Sequence, residues 1–407
     1  MSFQRAARAA LAGQSFRSRV LAAVVAILAG LSLSCGSSGS KGGVPDHRAY
    51  VTEPATGSVL LLHINGSTGA ITAGAQTTPI QNLSPNGLAL SPSKKFLYVA
   101  NSDAGTISIF NVALDGTLTL SGTPIPAGTG PWAAVIDPSG TYLLVTNAPP
   151  NPPAPGSVSV FSIDPGSGAL SEVAGSPFLA NANAKEILIT PSGKFVYVSN
   201  PGIGMVTAFS FCPPQMASEP QCSGATSILV PVPGSPFFSG AGASGLALDA
   251  TGQFLYVANA AALNPPPYQS TTGNISGFNI DSATGALSPI LGSPFTSTAG
   301  AGPTALTVDP NGRFVYAATT GSTSSIWCFT ITSTNGQLVA AASSPFSLAA
   351  GGLFALIDPL GDFFYIGSSS ANGIAAYTYN PSTGAPTTIA NSPFSTGTAP
   401  GKMVFSE

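Results

Sequence analysis

Charge is what this chain of 407 residues has least of. Lys and Arg number 12, Asp and Glu 15, and together they make up only 7% of the sequence. Four of the 12 basic residues (Arg5, Arg8, Arg17 and Arg19) fall within the first 34 positions. That leaves 8 basic against 15 acidic residues beyond them, a formal charge of −7. No basic stripe remains to neutralise a phosphate backbone, so binding of nucleic acid is not expected. With two His and four scattered Cys, no three or four metal ligands come together, and neither a metal nor another cofactor is expected. A Ser-His-Asp order, a Gly-rich phosphate loop and a His-Cys cluster are all missing. Beyond residue 34 no run approaches the roughly 20 apolar residues that span a bilayer.

The first 34 residues differ from the rest. The four Arg form a basic region, residues 20–33 are apolar or small throughout, and Cys35 follows. This order reads as a secretory signal over 1–34, its apolar run being too short for a transmembrane anchor. Ser32-Leu33-Ser34-Cys35, followed by Gly36-Ser37-Ser38-Gly39-Ser40, resembles a bacterial lipoprotein processing site, with Ser32 where Leu is usual. That resemblance implies lipidation of Cys35, the alternative being simple cleavage and secretion. Residues 35–46 then read as a flexible tether, and the only expected membrane contact is the N-terminal lipid.

What is abundant is a short phrase that recurs seven times: Tyr50-Val51, Tyr98-Val99, Tyr142-Leu143, Tyr197-Val198, Tyr256-Val257, Tyr316-Ala317 and Tyr365-Ile366. The gaps are 48, 44, 55, 59, 60 and 49 residues. Apolar runs of 4–7 residues lie between clusters drawn from the 47 Gly and 37 Pro and from Asn, Asp and Ser, the pattern of many short strands. A period of roughly 40–60 residues with strands inside each unit predicts an all-β, seven-bladed β-propeller over 47–407, with four antiparallel strands per blade. The third unit shows them: Ala133–Ile136, Tyr142–Thr146, Ser157–Ile163 and Leu170–Val173. Asp137-Pro-Ser-Gly140 and its five counterparts are turn chemistry, in which Asp, Ser or Thr bonds the backbone and Gly takes φ > 0. The chain enters at a second strand and ends on a first strand, 402–405, so the last strand is expected to complete the first blade and close the ring.

Cys212 and Cys222 flank a Pro-rich insertion and are expected to form a disulfide. Cys328 lies inside an apolar strand as a buried thiol. The loops from fourth to first and from second to third strands share one face, the top, and function tends to reside on loops a scaffold positions. Both other Pro-rich insertions, 147–156 and 259–274, fall there. Second strands deliver Glu53, Asn101, Asn147, Asn200, Asn259, Thr319 and Ser368 to that face, either as a hydrogen-bonding ring at the channel mouth or as groups that bond the following turn. First strands begin there with Asn86, Trp132, Lys185, Glu186, Thr304 and Lys402. Lys185-Glu186 is an adjacent charged pair in a chain poor in charge, and its plainer reading is a surface ion pair. The Ser-Pro-Phe endings at Phe178, Phe237, Phe295, Phe346 and Phe394 read as packing between blades.

Tyr98-Val-Ala-Asn101, Tyr197-Val-Ser-Asn200, Tyr256-Val-Ala-Asn259, Asn86-Gly-Leu-Ala-Leu-Ser-Pro92 and Asp309-Pro-Asn-Gly-Arg-Phe-Val-Tyr316 resemble the Tyr-Val-Thr-Asn repeat proteins and the seven-bladed lactonase-like propellers. The resemblance runs from about residue 47 to the end. It implies the fold and, through the 6-phosphogluconolactonases of that group, hydrolysis of a sugar lactone. Where that group often has a Pro-Arg-His-like cluster, this chain has Pro131-Trp132, Pro303-Thr304 and Pro400-Gly401. A phosphorylated sugar would want Arg, and only Arg48 and Arg313 remain beyond the first 34 residues.

Two functions follow as expectations. One is an exported, lipid-anchored or secreted monomeric propeller that binds a protein, glycan or small molecule through its top face, with Trp132, Asn86, Asn101, Asn200 and Asn259 as contacts. The other is a lactone hydrolase with Glu186 as general base and Lys185 or Lys402 stabilising the oxyanion.

Overall fold

The structure is a computed structural model that describes residues 46–77, 83–150, 155–260, 273–296, 302–320, 324–348 and 351–406. The expected signal, the expected tether up to residue 45, Cys35 and the central parts of both top-face Pro-rich insertions lie outside the described residues. Seven antiparallel sheets are arranged as propeller blades. Blade one holds His47–Glu53, Ser58–Ile64 and Ile71–Gln76, completed on its inner edge by Met403–Ser406. Tyr50 faces Val404 and Val51 faces Met403 across that junction, so the ring closes by main-chain pairing and leaves no bare inner edge. Blades two to seven begin with Pro85–Leu90, Pro131–Ile136, Ile187–Ile189, Ala243–Leu248, Pro303–Val308 and Gly352–Ile357 as their innermost strands. Among the described residues the only helices are two single 3₁₀ turns, Pro214–Met216 and Pro220–Cys222, inside the loop closed by the Cys212–Cys222 disulfide. Cys328 is a buried free thiol.

The second strands are buried on both faces, and so read as continuous apolar runs. Their Tyr rings enter the seams between blades. Each of the seven apolar clusters joins two adjacent blades, for example Tyr98 and Phe96 of blade two with Val145, Leu143 and Phe161 of blade three. Six of the repeat Tyr also cross the seam by hydrogen bond. Tyr98 Oη donates to the Gly168 carbonyl at 2.9 Å, and Tyr50, Tyr197, Tyr256, Tyr316 and Tyr365 do the same to Gly116, Gly285, Gly336, Gly384 and Gly69. These Gly end the turns between third and fourth strands. Gly168 has φ +71°, and a Cβ there would overlap the Phe96 ring, so the turn takes Gly for conformation and for closeness. Blade three has no such bond, because its second strand Tyr142–Asn147 puts Leu144 where the other blades have the Tyr, and Tyr142 two places earlier, where Phe96 stands in blade two.

The Asp of the first turns act as expected of turn residues. Asp137 Oδ1 accepts the Tyr142 amide at 2.6 Å, Asp249 that of Phe254 at 2.6 Å and Asp309 that of Phe314 at 2.7 Å. The Ser-Pro-Phe segments do more than pack between blades. Their Ser accept a main-chain amide of the third strand, as in Val160 to Ser176 Oγ at 3.0 Å and Ala208 to Ser235 Oγ at 2.9 Å. The following Phe starts a short fifth strand on that same third strand in blades three, four, six and seven.

Candidate functional site

The inner strands of blades two, three, five, six and seven slip register near their tops, for example between Val145 and Asn147 or between Pro303 and Ala305 of the pairings. Blade four shows the strongest case. Its regular inner strand is only Ile187–Ile189, and Lys185 and Glu186 both answer to Ser199: the Lys185 amide donates to the Ser199 carbonyl, the Ser199 amide to the Glu186 carbonyl, and the Glu186 amide to Ser199 Oγ. In a regular strand neighbours point to opposite faces. A bulge puts two residues opposite one, and here both Lys185 and Glu186 line the same bowl.

That bowl is a cavity of about 450 Å³ at the mouth of the central channel. All six residues that sequence reasoning placed at the tops of first strands line it: Asn86, Trp132, Lys185, Glu186, Thr304 and Lys402. Lys402 Nζ meets Glu186 Oε1 at 2.5 Å. The two residues come from blade one and blade four, so the ion pair crosses the mouth. It forms the floor of the bowl and the roof of a smaller space of about 190 Å³ below it, whose lining includes Leu88, Leu306, Phe354, Leu356 and Met403. Lys185 Nζ lies 4.4 Å from the centre of the Trp132 ring, a cation–π contact. Burial holds the Lys185 ammonium below the ordinary lysine value, with Glu186 opposing that shift and Lys402 adding to it.

The main chain beneath these groups is tied by hydroxyl-to-carbonyl bonds from blade to blade. Thr52 donates to the Asn86 carbonyl at 2.8 Å, Thr146 to Lys185 at 2.5 Å, Ser199 to Ser244 at 2.6 Å, Ser244 to Thr304 at 3.2 Å and Thr304 to Gly352 at 2.9 Å. Thr52 Oγ1 also accepts the Lys402 amide at 2.9 Å. The charged groups therefore stand on a braced rim, which sequence reasoning missed. Its signal was the Thr or Ser in the phrase at Thr52, Thr146 and Ser199.

The second-strand ring is placed elsewhere. Asn101, Asn200 and Asn259 are buried, at 1%, 0% and 1% exposure. Asn101 donates to Thr106 and Ser108, Asn259 to Asn274 and Ser276, and Asn200 to the carbonyls of Ala180 and Ala182. The amides of Asn101 and Asn259 tie second to third strands within a blade, that of Asn200 ties blade four to the last strand of blade three, and none of the three lines the bowl. Asn86 does line it, its amide donating to Ser102 Oγ at 2.8 Å. Among the described residues no second carboxylate lines the bowl. Among the described residues no group of three or more His, Cys, Asp and Glu could hold a metal ion. Arg48 is spent on the Leu114 carbonyl and Arg313 on Asp309 and the Pro381 carbonyl, away from the bowl.

Comparisons with known proteins agree on the fold. No curated protein sequence matches the chain. Among solved structures, a candidate 6-phosphogluconolactonase of Bacteroides fragilis superposes with a TM-score of 0.71 at 19% identity, over 91% of this chain and 100% of that one. One from Bacteroides uniformis has the same score and identity over 89% and 99%. A periplasmic gluconolactonase of Pseudomonas aeruginosa has a TM-score of 0.71 at 18% identity, again over 89% and 99%. At such identities the likeness is one of fold. The sequence pattern of the family described as lactonase, seven-bladed beta-propeller matches residues 44–181, 225–346 and 272–405. With most of its length so matched, and with seven closed blades, the chain belongs to that lactonase-like propeller family.

Proposed function

We propose that this protein hydrolyses an unphosphorylated sugar lactone in the bowl, outside the cytoplasm. The observation that carries the reading is the convergence of Glu186, Lys402 and Lys185 beside Trp132 at the channel mouth. Ester hydrolysis needs a base for water and a cation for the oxygen that becomes charged. Glu186 takes the proton as water adds to the carbonyl carbon. Lys402, whose partner carboxylate is thereby neutralised, faces the oxyanion, with Lys185 as the second cation. The ring C–O bond then breaks, and the ring oxygen leaves as a hydroxyl with that proton, giving a hydroxy acid. Trp132 offers a flat apolar face to a sugar ring. With neither Arg near the bowl, an unphosphorylated ring is favoured.

The direct assay follows proton release from glucono-δ-lactone and related sugar lactones above the spontaneous rate. Removing a general base costs about 10²–10⁴-fold, so Glu186→Gln should lose at least about 100-fold. An unchanged rate would sink the mechanism. A second reading, a ligand-binding module without turnover, is favoured by the closed Glu186–Lys402 pair and by the lack of a second acid in the bowl among the described residues. Tight binding of sugar acids with no hydrolysis of any lactone would establish it instead.

The basic and apolar order of residues 1–34 and the Cys35 context support export and a lipid anchor. Labelled palmitate should enter the full chain expressed in a bacterial host and be lost in Cys35→Ser. Equal labelling of both chains would refute the anchor.

A further inference from the structure

Trp132 and Lys185 are a partition as well as part of the bowl. On their other side lies a second top-face cavity of about 950 Å³, and both residues line it too. Its walls are the turn at 102–105 of blade two, the link 126–130 into blade three, Ala148 to Pro150, and Asn183. Small-molecule sites typically enclose roughly 300–1,000 Å³, so either cavity alone would house a single sugar. Two that share one wall suit a ligand in two parts.

The groove is built into the fold. A Cβ on Gly105 would lie 2.7 Å from the Gly128 carbonyl oxygen, one on Gly128 2.7 Å from the Asn147 amide nitrogen, and one on Gly130 2.5 Å from the Ala148 carbonyl oxygen. Gly105 has φ +66°, Gly128 +118° and Gly130 +65°. Hydrogen bonds of 2.9 Å from Ala127 to Gly105 and 2.8 Å from Ala148 to Gly130 hold these loops together. Its chemistry is mixed. Pro126, Pro149, Pro150 and Trp132 are largely apolar, whereas Ser102, Asp103, Thr129 and Asn183 offer hydroxyl, carboxylate and amide groups. An alkyl chain gains from continuous apolar walls and leaves such groups unpaired. A sugar, with apolar C–H faces and hydroxyls around its edge, uses both.

We propose that the groove is a glycosyl subsite, so that the preferred substrate is an oligosaccharide whose reducing-end unit is the lactone. That unit sits in the bowl, and the preceding sugar passes over the Trp132–Lys185 partition into the groove. The proposal rests on the lactonase reading of the bowl. The test compares glucono-δ-lactone, cellobiono-δ-lactone and an alkyl δ-lactone of similar length, alongside calorimetric binding of gluconate and cellobionate. The disaccharide lactone should exceed the monosaccharide at least tenfold in kcat/KM, chiefly through KM. Asp103→Ala and the groove-filling Ala104→Trp should each shrink that gap and leave the monosaccharide rate unchanged. Equal efficiency on the two sugars, preference for the alkyl lactone, or a gap that survives both variants would overturn the subsite. If no lactone is turned over, the hydrolase reading fails by itself. Tenfold tighter binding of cellobionate than gluconate then upholds the groove, and equal or absent binding removes it.

Discussion

Each position of the repeated phrase has its own mechanical task. In six blades the Tyr hydroxyl crosses to a Gly carbonyl in the next blade, Thr52, Thr146 and Ser199 brace the rim, and Asn101 and Asn259 tie strands within their own blades while Asn200 reaches the last strand of blade three. Burial raises the Tyr98 phenol further above its ordinary value, with Asp164 adding to the effect, so it remains a donor at any working pH. Tyr98→Phe leaves the Gly168 carbonyl unpaired in the seam, which should cost about 1–3 kcal/mol in urea unfolding. Tyr142→Phe removes no such bond and should stay within about 0.5 kcal/mol. Equal losses at the two positions would show that the latch is not what stabilises the seam. Lys185 provides a second residue-level prediction. Its folded-state value is lowered, so in the window from that value up to the unfolded value of about 10.4 the unfolded chain holds more protons and stability rises with pH. Below the window the penalty for burying the charge is present in full. Lys185→Met should therefore raise the urea midpoint at pH 7, and the difference should narrow towards pH 10. A variant less stable at pH 7 would mean that the Trp132 contact outweighs burial.

At the scale of the element, the informative parts are those that depart from the repeat. The disulfide loop of blade four replaces a Gly turn and closes a ten-residue separation. Cross-linking a loop of that size stabilises by about 3 kcal/mol in the chain-entropy account. Cys212→Ser with Cys222→Ser should lower stability by about 2–3 kcal/mol and leave the hydrolysis proposed for the bowl unchanged. A midpoint unmoved in the double variant would show that the loop is held by its 3₁₀ turns alone. Strand order, turn chemistry and the top-face first-strand residues were legible in the sequence, because period-2 alternation and Asp-Pro-Ser-Gly turns fix direction, and direction decides which end of a strand meets which face. The burial of Asn101, Asn200 and Asn259 was not, since alternation says which side a residue takes but not which neighbouring hydroxyl or carbonyl will receive its amide. Nor was the bulge that turns Lys185 and Glu186 into the same space, because it arises from pairing with Ser199, distant in sequence.

For the whole molecule, each apolar cluster belongs to a seam and none to a single blade. Stability is therefore a property of the closed ring. Removing residues 403–406 strips the inner edge of blade one and takes Met403, 6% exposed, out of the blade-one and blade-seven seam. A buried Met alone is worth about 2–5 kcal/mol, and the freed edge is a template for pairing with other chains. The truncated protein should unfold at lower urea and run as oligomers on size exclusion. A monomer with an unchanged midpoint would show that main-chain closure is dispensable. The low charge has a counterpart at this scale, since few of the seam contacts are ionic and added salt should shift stability little.

The ion pair across the channel mouth also imposes an order in time. Glu186 is synthesised 216 residues before Lys402, and Lys402 precedes the closing strand directly. A nascent chain that already holds Glu186, Lys185 and Trp132 still lacks the cation that completes their constellation. The bowl is thus assembled last, by the same act that seals the ring.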